Sequence, residues 1–125
     1  MTGYSVTIAE SSAELTAKQK VMFKDTTDCV GIDKATQESG DIIITVAGWV
    51  ELSIHNEHSQ DKDYKNYVVI AEDGTRYITG SESFWTSFRD IYDDMQDCDE
   101  EWKLKIYRCP SKNRQGKDFI TCSIV

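Results

Sequence analysis

Six basic residues, Lys103, Lys105, Arg108, Lys112, Arg114 and Lys117, stand between Trp102 and Lys117 with no acid among them. The 125-residue chain holds 14 Lys and Arg against 22 Asp and Glu, a formal net charge of −8, so the rest of the chain carries −14. Cations at this density suit the phosphate backbone of a nucleic acid. A single strand is gripped by two ingredients: cations that follow the phosphates and flat rings on which bases stack. Candidate rings lie on neighbouring segments: Tyr67 or Tyr64, Tyr77 beside Arg76, Tyr107 inside the basic stretch and Phe119 just after it. Trp49 joins them, because it holds an odd position in a segment whose even positions are apolar and should face away from the core.

Other chemistries have weaker support. His55 and His58 stand three apart in "HNEHSQD" with Glu57 and Asp61 nearby, a spacing that suits a metal ligand pair but reads better as a solvated loop. The four cysteines, Cys29, Cys98, Cys109 and Cys122, include no CxxC pair, so a zinc ribbon or a thioredoxin-type motif is not expected. They read as unbridged thiols. No nucleophile elbow and no glycine-rich phosphate loop follow a strand. The acids of "DDMQDCDEE" lack the spacing and central glycine of a calcium loop. The expectation is a protein that is not an enzyme and holds no metal or cofactor.

Net acidity opposes phosphate binding at long range. Segregation offsets it, because salt near 0.15 M screens charges beyond about 8 Å. The acid cluster from Asp93 to Glu101 would then serve as a separate surface for protein partners, such as replication proteins. A second reading makes that acidic face the working surface, in an interaction protein or DNA mimic that blocks a host nuclease or defence system.

These residues need a frame. Apolar content of 39% and charged content of 29% describe a soluble globular chain. The length suits one core, and no apolar run reaches the roughly 20 residues of a membrane helix. In "DIIITVAGWVELSIH" the apolar side chains fall at Ile42, Ile44, Val46, Val50, Leu52 and Ile54, with Gly48 at the intervening even position. That period predicts one long half-buried strand bent at Gly48. "YKNYVVIAEDGTRYITG" reads as a hairpin turned at Asp73-Gly74. Phe84, Phe88, Ile91, Tyr92 and Met95 recur at helical spacing after Ser81 or Ser83, which predicts a helix over about 82–96. "WKLKIYRC" alternates as a strand, with Trp102, Leu104 and Ile106 inward. "PSKNRQGK" is a turn-rich loop, and "DFITCSIV" is a closing strand with Ile120, Cys122 and Ile124 on one face.

The resulting fold is mostly β, in the order β-β-β-α-β-β of a five-stranded OB-like barrel. The barrel spans residues 41–125. Residues 1–40 form an N-terminal extension packed on it, with a short strand near Tyr4–Ile8, a helical turn near Leu15–Phe23 and a strand near Cys29–Asp33. In OB folds the loop joining strands four and five, with the face of strands two and three, grips oligonucleotides.

The runs "EDGTRYITGSESFWTSFRDIYDDM" and "WKLKIYRCPSKNRQGKDFITCSIV" resemble the C-terminal half of small single-stranded DNA-binding proteins of tailed bacteriophages. The resemblance implies an OB-like fold, coating of displaced strands during replication and no catalysis. It carries DNA contact to Arg76, Tyr77, Lys103, Lys105, Tyr107 and the loop Arg108–Lys117. Cellular counterparts in function end in an acidic recruiting tail, whereas this sequence ends "ITCSIV". No export signal is legible, so the cytoplasm, that of the host if phage-encoded, is the expected location. The helix around Trp85 carries more apolar groups than one stripe needs, which makes Trp85 a candidate oligomer contact.

Overall fold

The computed structural model describes residues 3–58, 60–110 and 118–125. Along the chain run β1 (Tyr4–Ser11), α1 (Ala17–Lys24), β2 (Val30–Gly31), α2 (Ile32–Ser39), β3 (Ile42–Ile44), β4 (Val46–Asn56), β5 (Asp63–Ala71), β6 (Arg76–Thr79), α3 (Glu82–Met95), β7 (Leu104–Pro110) and β8 (Asp118–Ile124). The fold is mostly β, with two sheets ordered β1-β4-β5-β6-β2 and β3-β7-β8. Among the described residues no pairing closes them into a barrel.

Two compact units emerge: Met1–Val30 with Ala47–Gly80, and Gly31–Val46 with Ser81–Val125. This division does not follow a boundary at residue 40. β1 is no appendage either, since it pairs antiparallel with β4 from Tyr4↔Asn56 to Ser11↔Val50.

In the first unit the period-2 pattern of β4 does what half-buried strands do. Val50, Leu52 and Val68 form a buried cluster, packed by Val6, Ile8, Leu15, Phe23, Ile70 and Ile78. The opposite face is covered too, because Trp49, Tyr67, Val69, Ala71 and Thr79 are all buried. The Asp73-Gly74 hairpin forms as expected. Gly74 takes φ +92°, a conformation open to glycine at little cost, and Asp73 Oδ1 accepts from Thr75 N–H at 2.9 Å. α1 starts at a reciprocal capping box in which Thr16 and Gln19 satisfy each other's backbone N–H groups.

The long apolar segment breaks at Thr45, not at Gly48. Ile42–Ile44 joins the three-stranded sheet and Val46–Asn56 the five-stranded one. Gly48 lies within β4 for another reason. A Cβ there would sit 2.7 Å from Ser12 Oγ, the atom that accepts Trp49 N–H at 3.0 Å. Close approach of the chain after β1, not a bend, requires the glycine.

In the second unit α3 lies on β8, and α2 lies against β3 and β7. Ser81 Oγ caps α3 by accepting Phe84 N–H at 3.2 Å. Phe84, Phe88, Leu104, Ile106 and Ile32 are wholly buried. Each such side chain contributes roughly 1.5–3 kcal/mol through burial. Trp85 is also buried, stacked on Phe88 at 5.1 Å, so it is a core residue and not an exposed oligomer contact. The strand expected over Cys29–Asp33 forms only at β2, Val30–Gly31, and α2 takes over from Ile32. Its buried pair, Ile32 and Thr36, spans a single turn, too short a signal to separate helix from strand, and Thr36 Oγ1 donates to Ile32 O at 2.8 Å.

Candidate nucleic-acid interface

Register in the three-stranded sheet decides which side chains share a face. β7 and β8 pair Lys105↔Ser123, Tyr107↔Thr121 and Cys109↔Phe119, and β3 adds Ile43↔Lys105. Directly opposed residues project to the same side. Ile43, Lys105, Tyr107, Cys109, Phe119, Thr121 and Ser123 therefore form one outer face. Leu104, Ile106, Ile120 and Cys122 form the buried inner one.

The outer face carries the two ingredients sought. Phe119 is 44% exposed and Tyr107 half-buried. The two are diagonal neighbours, a relation that sets Cα atoms about 7–8 Å apart. Lys105 Nζ lies 5.0 Å from the centre of the Tyr107 ring and 3.6 Å from Asp41 Oδ2. The ammonium thus lies beside both an aromatic ring and a carboxylate, on a side chain that is 39% exposed. Lys103 is exposed just before β7, where its carbonyl accepts Val125 N–H. Ile43, 53% exposed, extends the face on β3.

Other expected contacts go elsewhere. Trp49 and Tyr67 are buried, at 4% and 7% exposure, so neither offers a ring face to a base. Both hold odd positions that looked outward in the sequence, and with Val69 and Ala71 they are buried on the second side of the sheet. Tyr77 shares that face, opposite Val69, and is half-buried; burial raises its phenol pKa. Tyr64 is also half-buried.

Arg76 is committed to the end of α1 and Arg108 to α2. Arg76 Nη1 donates to Met22 O at 2.9 Å and Asp25 O at 3.0 Å, satisfying carbonyls at the C-terminus of α1. Arg108 has an even position on β7. Its Nη1 donates to Asp33 O and Thr36 Oγ1, each at 3.3 Å, and lies 3.9 Å from Asp33 Oδ1. Lys112, Arg114 and Lys117 lie outside the described residues. By sequence they fall between Pro110 and Asp118, which oppose each other at the end of the β7–β8 pair.

Ile43, Cys109, Thr121 and Ser123 were not identified from sequence. The signal existed, as odd positions of β3, β7 and β8, but it required knowing that these three strands are neighbours. The other chemistry-bearing group is in the first unit. His55 Nδ1 lies 2.7 Å from Asp63 Oδ1 and Nε2 2.6 Å from Glu57 Oε1. The Asp63 contact, then the Glu57 contact, raise the imidazole pKa. Among the described residues no cluster suited to a metal ion occurs. All four cysteines carry free thiols, and burial pushes that of Cys122 up to about 12. No helix among the described residues is long and apolar enough to cross a membrane. No protein-family model, curated protein or solved structure matches the chain.

Proposed function

We propose that the protein binds single-stranded DNA, without catalysis, on the outer face of β3, β7 and β8, in phage or mobile-element replication. The observation that carries this reading is the shared face of Tyr107, Phe119 and Lys105. Rings stack on any base, and an ammonium beside them meets the adjoining phosphate. Lys103 and the sequence-adjacent Lys112, Arg114 and Lys117 supply further cations. An OB-like reading of the topology is supported by strand order. β3 and β4 take the place of one long first strand that feeds both sheets, and β5, β6, α3, β7 and β8 follow in the OB sequence. The proposed face differs from the usual OB platform of strands two and three, whose rings are buried or half-buried here.

Anisotropy of fluorescent oligo-dT tests the proposal. Wild-type protein binds the single strand more tightly than the corresponding duplex, because stacking needs exposed base faces. Undetectable binding at low salt sinks the proposal. One observation favours a second reading in that event: Asp93, Asp94, Asp97, Asp99, Glu100 and Glu101 are all exposed. They would form the contact surface of an acidic interaction protein.

A further inference from the structure

We infer that the outer edge of β8 is a self-association edge, where two copies pair their β8 strands antiparallel about a two-fold axis at Cys122. An unpaired edge is a template for another strand, and proteins blunt it with short length, charge or a bulge. Among the described residues four strands are edges: β1 and β2 in one sheet, β3 and β8 in the other. Three are blunted. β1 shifts register between Ile8 and Glu10, β2 has two residues and β3 has three. β8 is seven residues long and meets β7 in unbroken register from Leu104↔Ile124 to Pro110↔Asp118. After Asp118 at its start, the chain from Phe119 to Val125 has no charged side chain, glycine or proline.

The ladder says which groups face outward. Val125 N–H donates to Lys103 O at 2.9 Å. By antiparallel alternation Phe119, Thr121, Ser123 and Val125 turn their backbone groups to β7, whereas Ile120, Cys122 and Ile124 turn theirs away. An axis at Cys122 sets Ile120 against Ile124 of the second copy, Cys122 against Cys122 and Ile124 against Ile120. Each of these pairs exchanges two backbone hydrogen bonds. This axis alone pairs all three outward-turned residues with one another. On the other face it sets Phe119 against Val125, exposed at 44% and 68% respectively, and Thr121 against Ser123. The two-fold closes the assembly at two copies. Each copy carries −8, so the copies repel at a distance and meet along Phe119–Val125, a segment without charged side chains. Added salt screens that repulsion and tightens the dimer, the opposite of its effect on phosphate binding.

Sedimentation equilibrium and amide hydrogen exchange of the full chain test this without nucleic acid. Over the micromolar to submillimolar range the mass should rise to twice that of the monomer, more readily at high salt. In the same range the Ile120, Cys122 and Ile124 amides should slow about tenfold or more, while those of Thr121 and Ser123, already bonded to β7, change little. Ile124→Lys, at a side chain half exposed in the monomer, should stay monomeric, and Ile43→Lys, on the opposite edge, should still dimerise. A wild-type monomer throughout the range overturns the inference. So does a dimer that leaves those three amides unprotected, a series of larger species, or a dimeric Ile124→Lys protein. If Ile124→Lys fails to fold, the wild-type amide pattern still decides.

Discussion

Tyr107 and Arg108 are adjacent in a basic stretch, and the pleat sends them to opposite faces of β7. Tyr107 faces outward with Lys105, and Arg108 turns inward to α2. Under the proposed function, Tyr107→Ala and Phe119→Ala should each cost about 1–3 kcal/mol of oligo-dT affinity. Arg108→Ala should instead lower stability through α2. Wild-type affinity in both ring variants would exclude this face. Cys109 gives a second view, because it opposes Phe119 on the same face. Bound oligo-dT should slow its alkylation and leave that of exposed Cys98 unchanged. His55 makes a pH prediction. Only the imidazolium donates to Asp63 and Glu57 together, so its folded pKa lies above the ordinary 6.5. The stabilisation is fully present below about pH 6.5 and is lost as pH rises through the higher folded value. The thermal midpoint of wild type should exceed that of His55→Gln at pH 6, and the gap should close by about pH 9. A gap independent of pH would show that the two carboxylate contacts do not hold in solution.

Elements here are defined by their ends and close approaches more than by propensity. α3 begins where Ser81 Oγ accepts Phe84 N–H, so Ser81→Ala should cost about 1 kcal/mol in urea unfolding. Gly48 and Ser12 form a coupled pair. In Gly48→Ala the new methyl meets Ser12 Oγ at 2.7 Å and displaces the acceptor of Trp49 N–H. Ser12→Ala loses that hydrogen bond, worth about 1 kcal/mol, and also removes the obstructing atom. The remaining Ser12 Cβ would lie 3.9 Å from the new methyl, an ordinary contact. The double variant should therefore be no less stable than Ser12→Ala alone. Strictly additive losses would mean that Gly48 is needed for backbone conformation instead.

For the molecule as a whole the proposed function raises the question of how a chain of net charge −8 would hold a polyanion. Each neutralised phosphate of a single strand adds about −0.7 to the slope of log K against log salt, so four to six engaged cations imply roughly −3 to −4. Lys112→Ala, Arg114→Ala and Lys117→Ala combined should flatten that slope by about 2. A triple variant with wild-type slope and affinity would remove these three from the interface and move weight to the acidic surface at Asp93–Glu101.

Periodicity made β4, the Asp73-Gly74 hairpin, α3, β7 and β8 legible, because each rests on local physics: alternation, turn chemistry, an N-cap. The basic stretch and the rings were legible as composition. Three things were decided only by tertiary structure. Period 2 separates the two faces of a strand but cannot say that both are covered, and so Trp49 and Tyr67 passed for surface rings until the second face of their sheet proved buried. A cation in the sequence carries no record of its acceptor, and Arg76 and Arg108 found theirs on helices 51 and 72 or more residues away. The break of one apolar segment into β3 and β4 at Thr45 leaves no local mark, since the pattern runs on across it. Pairing with β7 on one side of Thr45 and with β1 and β5 on the other places that break, and long-range pairing is what a local pattern cannot encode.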